Sequence, residues 1–168
     1  VSPVPEMLAN GIPVALGTDG QACNNGQEMM DTLKWVMNIH KLHSRDAMII
    51  TPDQVLQMAT TNGALAFGLP GQIGSLEVGR KADLIIVDLD DPRMTTPTLN
   101  LSSLLVNFAK KEDVNTTIVD GKILMKNKKI QFLDEKELMK DFKQSRAGLL
   151  QRAGIHSLEG VMHASNTD

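Results

Sequence analysis

The chain has 168 residues, 42% of them apolar, enough to close a core of ordinary size, and its 17 basic and 20 acidic side chains leave a formal charge of −3. Both signs are dispersed along the sequence, so no positive field gathers phosphate backbones, and this argues against a nucleic-acid partner. No run approaches the roughly 18 apolar residues that a membrane-spanning helix needs. A single cysteine, Cys23, leaves no internal disulfide and agrees with a reducing cytoplasm. The opening Val1-Ser2-Pro3-Val4-Pro5 has no initiator Met and no secretory signal, and reads as the start of a fragment.

From Pro5 to about Leu69 the hydrophobic pattern predicts helix, strand, helix, helix. The first helix runs through Glu6-Met7-Leu8-Ala9-Asn10 to a stop at Gly11. Pro13-Val14-Ala15-Leu16-Gly17-Thr18 is a short apolar run ending in a Gly/Asn-rich loop, the pattern of a parallel strand buried on both faces. A helix from near Gln27 to Leu42 places Met29, Leu33, Val36, Met37 and His40 on one core-facing stripe. The next helix starts at Thr51 as cap, with Pro52 in the first helical position and Gln54 closing a capping box; Val55, Leu56, Met58 and Ala59 form its buried stripe.

Past Gly68-Leu69-Pro70-Gly71 the period becomes extended, which marks a candidate domain boundary. Asp83-Leu84-Ile85-Ile86-Val87-Asp88 reads as a buried strand. Thr116-Thr117-Ile118-Val119 and Lys122-Ile123-Leu124-Met125 flank Asp120-Gly121, the chemistry of a type I′ hairpin turn. Gly74 and Gly79 read as turns entering this β piece. The basic run Lys126-Asn127-Lys128-Lys129 lacks an aromatic residue to stack a base and reads as a solvated turn. A last helix starts at Asp134, which forms a box-like start with Glu137, and reaches about Ala153; the stretch from His156 has no period. The pattern is thus an α/β piece resembling part of a barrel, a small β piece and one helix, and the β piece needs further strands to cover its edges.

Asp19 follows the apolar run directly, in Leu16-Gly17-Thr18-Asp19-Gly20, where strand-end side chains of an α/β barrel meet the active-site mouth. A carboxylate there can bind a divalent cation and accept a proton from water acidified by it; an Asp before Gly can equally form a turn or cap a helix. Asn24 and Asn25 are candidates for substrate contact, with helix capping as the simpler alternative. Cys23 lacks the His and Asn pattern of a thiol enzyme and reads as a small loop residue. His40 and His43 share a helix spacing that suits a metal but have no Glu or Cys at ligand distance, so packing is favoured; His156 and His163 are read in the same way. The glycine-rich loop lacks the Lys-Ser/Thr of a P-loop, and Met29, Met30, Met37 and Met58 read as core filler.

The run Gly11-Ile12-Pro13-Val14-Ala15-Leu16-Gly17-Thr18-Asp19-Gly20, with Asn24-Asn25 and an acidic helix start, resembles the eighth strand and loop of amidohydrolase-superfamily deaminases and chlorohydrolases, methylthioadenosine/S-adenosylhomocysteine deaminases among them. The resemblance continues through Met58-Ala59-Thr60-Thr61-Asn62-Gly63-Ala64, Ile73-Gly74-Ser75-Leu76-Glu77-Val78-Gly79-Arg80-Lys81-Ala82-Asp83-Leu84 and Val119-Asp120-Gly121. It implies the C-terminal portion of a metal-dependent hydrolase (β/α)8 barrel plus part of a small composite β-sandwich. Residues 1–70 would be the last strand and following helices of the barrel, 71–133 strands of the sandwich, 134–153 a C-terminal helix and 154–168 a disordered tail. It further implies a divalent metal, zinc ahead of iron, with Asp19 as metal ligand and proton shuttle. The His ligands and a general-acid Glu would belong to a preceding part of the parent chain, without which this chain is expected to be inactive. The implied substrate is a purine, pyrimidine or triazine-like ring that loses ammonia or chloride, and homo-oligomerisation stays open. A non-catalytic scaffold of the same superfamily is the alternative.

Overall fold

A computed structural model describes residues 1–95 and 100–155. The chain divides into two compact units, Val1–Lys129 and Ile130 onward. The first opens with helix α1 (Val4–Ala9), followed by the short α2 (Gln21–Asn24), α3 (Met29–Ser44), α4 (Pro52–Ala59) and α5 (Thr61–Ala66). Strand β1 (Leu84–Val87), helix α6 (Leu101–Phe108) and strands β2 (Val114–Val119), β3 (Lys122–Lys126) and β4 (Lys129–Ile130) follow. The second unit contains α7 (Glu135–Arg152). Among the described residues no helix is long and apolar enough to cross a membrane.

Local chemistry explains the helix starts. Thr51 Oγ1 accepts from the Gln54 N–H while the Gln54 side chain accepts from the Thr51 N–H at 2.8 Å, a reciprocal box that satisfies donors a helix leaves open. Asp134 accepts from the N–H groups of Lys136 and Glu137 at the head of α7. Within its own unit α7 buries no residue, and Leu138, Met139, Phe142 and Leu149 are exposed.

One core cluster joins Val4, Leu33, Met37, Ile50, Val55, Met58 and Val106. Met37 and Met58 are fully enclosed, as core filler should be, whereas Met29 at the first turn of α3 is exposed. His40 is buried on the same face of α3 as Leu33 and Met37, and His43 is exposed. Helix α6 was not foreseen from the sequence. Asn100 caps it by accepting from the Ser103 N–H at 2.8 Å, and its Leu104 and Val106 are buried. A second cluster gathers Met94, Leu104 and Ala109.

Two expected burials are corrected. Residues 13–18 form no strand: Val14, Leu16 and Thr18 are half-buried while Pro13, Ala15 and Gly17 are exposed. The alternation is that of an extended segment covered on one side, because no described strand flanks it to supply a ladder or a second layer. It is held by helices instead. The Leu16 N–H donates to the Met58 carbonyl at 3.0 Å, and the Asn62 amide donates to the Val14 carbonyl at 2.9 Å. Likewise β1 is not buried on both faces, since Ile85 and Ile86 are exposed.

The sheet runs in the order β1-β2-β3-β4. β1 pairs antiparallel with β2 (Leu84 opposite Ile118), and β2 pairs antiparallel with β3 (Val119 opposite Lys122). The β2–β3 turn has φ 49° at Asp120 and 75° at Gly121, the two positive values that a type I′ turn needs. Its tip is tied back to the approach to β1: the Asp120 N–H donates to Asp83 Oδ1 and the Gly121 N–H to the Ala82 carbonyl at 3.1 Å. Asn127 and Lys128, also at positive φ and exposed, make the solvated turn expected of the basic run.

Candidate functional site

Asp19 stands where the 13–18 segment ends, and its side chain is exposed. Its backbone is left-handed at φ 61°, a conformation Asp tolerates better than most residues because its short side chain bonds locally. That bond is present: Asp19 Oδ1 accepts from the Gly20 N–H at 2.6 Å. The turn expected of an Asp-Gly pair is therefore real, but it engages one carboxylate oxygen and leaves the other open to a ligand.

Beyond Asp19 the loop folds on itself. Gly20 leads into α2, which carries Cys23 exposed on a helical turn rather than in a loop. The Asn24 amide donates to the Thr18 carbonyl at 2.9 Å, closing the loop across Asp19. Asn25 is the left-handed C-cap of α2 at φ 54°, and the Gln21 amide donates to its carbonyl at 3.2 Å. Both asparagines thus have structural bonds, and both remain exposed beside Asp19. At the loop's far end Glu28, directly before α3, accepts from the Lys111 N–H at 2.9 Å and pairs with Lys111 Nζ at 3.5 Å.

Among the described residues no group of three or more His, Cys, Asp or Glu side chains is placed to hold a metal ion. His40 lies in the core, where burial pushes its imidazole below the ordinary value against an opposing pull from Glu6. Its place on α3 is with the buried Leu33 and Met37. His156 and His163 lie outside the described residues. Asp19 offers a single carboxylate, whereas a catalytic zinc site takes about three protein ligands.

The other family-like motifs meet one another. Asn62 holds Val14, Gly74 packs against Thr60, Thr61 and Ala64, and Asp83 holds Asp120. Sequence reasoning did not identify Glu28 or Asn62 as residues that fix the Asp19 segment. Their partners lie 83 and 48 positions away, so no local pattern announces them.

Comparison with known proteins is specific. The model of the amidohydrolase family matches residues 1–124. An S-triazine hydrolase of Gordonia rubripertincta is 40% identical over 159 residues, covering 92% of this chain and 33% of that protein. A 5-methylthioadenosine/S-adenosylhomocysteine deaminase of Syntrophomonas wolfei subsp. wolfei is 42% identical over 139 residues, covering 83% of this chain and 32% of that protein. The crystal structure of an adenosine deaminase from Xanthomonas campestris with bound zinc superposes with a TM-score of 0.84 at 29% identity, over 89% of this chain and 34% of that one. The chain spans about a third of the length of the curated relatives it matches.

Proposed function

The chain belongs to the amidohydrolase family, and we propose that, joined to the remaining length its relatives carry, it works as part of a divalent-metal hydrolase that removes ammonia or chloride from a purine, pyrimidine or triazine-like ring. The observation that carries this is the Asp19 carboxylate, exposed at the end of a segment whose opposite side packs on helices, with one oxygen held by the Gly20 N–H. The activities named for the deaminase and triazine-hydrolase relatives support the substrate class.

In this reading residues 1–70 are the end of a barrel, 71–133 belong to a small β-sandwich and 134–153 form a C-terminal helix. The exposed Ile85 and Ile86 of β1 fit a sheet that awaits a covering layer. Asp19 would be one ligand of the metal, zinc rather than iron, with His ligands from outside the chain; this chain alone is then inactive. When bound, such a cation lowers the pKa of water towards neutrality. Asp19 would hold a proton on a carboxylate oxygen and, where the leaving group is an amine, would hand it on, with the Gly20 N–H holding the carboxylate in place. Asn24 and Asn25, exposed in the same loop, would contact the ring. A sole, exposed cysteine suits a cytoplasmic enzyme.

The test is Asp19→Asn in the longer protein, with metal content and ammonia release measured against the unsubstituted protein. Turnover should fall by about a hundredfold or more, the scale of general-base loss. Near-normal release from Asp19→Asn would refute the assignment, and stoichiometric zinc in the isolated 168-residue chain would refute the division of ligands.

A further inference from the structure

We propose that Glu28 is a positioning residue for Asp19: anchored on Lys111, it fixes the far end of the loop that presents the Asp19 carboxylate. The proposal rests on the role given to Asp19 above.

The near end of the loop needs no such device. Val14 and Leu16 are already bonded to Asn62 and to the end of α4. From Thr18 to Asn25, by contrast, the hydrogen bonds among the described residues are all internal: Gly20 to Asp19, Asn24 to Thr18, Gln21 to Asn25 and the turns of α2. They give the loop a shape without tying it to the body of the protein. The tie comes at Glu28. Its carboxylate takes the Lys111 N–H at 2.9 Å on Oε1 and faces Lys111 Nζ at 3.5 Å from Oε2.

Glu28 could instead serve only the helix it precedes, where an acidic side chain is favourable. The geometry argues otherwise. Its side chain makes no capping bond to α3, and it is 17% exposed while the Lys111 side chain is 68% exposed. A carboxylate so withdrawn from water must be hydrogen-bonded to be tolerated, and a bond from a backbone N–H to an ionised acceptor is about twice as strong as a neutral one. The ammonium, in water, contributes less; the main anchor is the Lys111 backbone.

That anchor is itself braced by further bonds. The buried Asp113 accepts from the Lys110 N–H at 2.8 Å and from Arg93 Nη2 at 2.9 Å. Arg93 also donates to the Phe108 carbonyl at 3.1 Å, at the end of α6. Glu28 therefore couples the Asp19 loop to a turn already braced by a buried carboxylate. Placement matters because a shift of about 1 Å in a reacting group can cost on the order of a hundredfold in rate.

The experiment uses the longer protein with Glu28→Ala, Glu28→Gln and Lys111→Met, reading amide hydrogen exchange together with kcat and KM. Glu28→Ala should raise exchange of the residue 17–25 amides by about tenfold while those of α4 stay as they were, because only local opening is made easier. Its kcat should fall by about tenfold or more, with KM changed less than about twofold. Glu28→Gln keeps an acceptor for the Lys111 N–H and should recover both readings to within about threefold. Lys111→Met, which spares the backbone donor, should leave loop exchange within about twofold of the original. Unchanged loop exchange in Glu28→Ala, or an equal rise in α4, would overturn the proposal. Turnover surviving in Asp19→Asn would instead overturn the role of Asp19, and the exchange pattern would still decide whether Glu28 anchors the loop.

Discussion

Replacing Gly74 with Ala separates two effects that usually arrive together. Gly74 and Gly79 both sit at φ 90°, a backbone that L side chains rarely adopt, so an added Cβ strains either site by about 1–2 kcal/mol. Both replacements also remove unfolded-state freedom, which returns about 0.4–1 kcal/mol. The surroundings differ. A Cβ on Gly79 meets nothing within 4 Å, whereas on Gly74 it meets the Thr60 carbonyl oxygen at 3.0 Å, Thr61 Cα at 3.0 Å and Ala64 Cβ at 3.1 Å. Carbon contacts are comfortable at about 3.5–4.0 Å, and two of these three neighbours are backbone atoms that cannot rotate aside. Overpacking of this kind costs about 1–3 kcal/mol, and that is the expected gap between the two variants. In urea, with a slope of about 1–3 kcal/mol per M, the midpoint of Gly74→Ala should lie on the order of 1 M below that of Gly79→Ala by circular dichroism. Midpoints that coincide would show that the Gly74 turn does not press against the α4–α5 junction in solution.

Two further outcomes follow from the core. Met58 is fully enclosed, so Met58→Ala should cost about 2–5 kcal/mol in the same urea assay, and a loss below about 1 kcal/mol would mean that the site collapses or is open. His40 resists protonation in the native state because of burial, while the unfolded chain takes up the proton near the ordinary value of 6.5. Between that value and the lower native one the unfolded state binds more protons, so the His40 contribution is complete above about pH 6.5 and is lost as pH falls below it. Urea midpoints from pH 8 down to 5 should drop more steeply for the parent than for His40→Gln; parallel curves would refute the buried-neutral assignment.

What could be read from the sequence was whatever is encoded within a few residues. The Thr51–Gln54 box and the two positive φ values of the Asp120-Gly121 turn appear as expected, while Asp134 caps α7 through the Lys136 and Glu137 N–H groups without the reciprocal Glu137 half of a box. Helix α6 went unread, although Leu101, Leu104, Leu105 and Phe108 after Asn100 carry a helical spacing. The 13–18 segment shows a different failure: its apolar content suits burial on two faces, yet burial depends on neighbours that a local pattern does not specify. For Asp19 the spacing located the residue, and only the resemblance suggested its chemistry. Glu28 and Asn62 stayed hidden because their meaning lies wholly in distant partners.

The break between α4 and α5 has a bearing on which changes of length this chain can absorb. Because α4 ends at Ala59 and Thr60 takes φ −125° and ψ −92°, the Met58 carbonyl is not consumed by a following helical turn and receives the Leu16 N–H instead. Helix length here acts as a ruler for a segment 42 residues earlier, since Leu16 and Met58 are fixed to each other. One residue inserted into α4 would advance that carbonyl by about 1.5 Å and rotate it by about 100° around the axis. The acceptor would then face elsewhere, and Asn62 would lose Val14 in the same step. Insertions should therefore be tolerated in the Lys126–Lys129 turn and excluded from the span between Pro52 and Asn62, although both lie in the same unit.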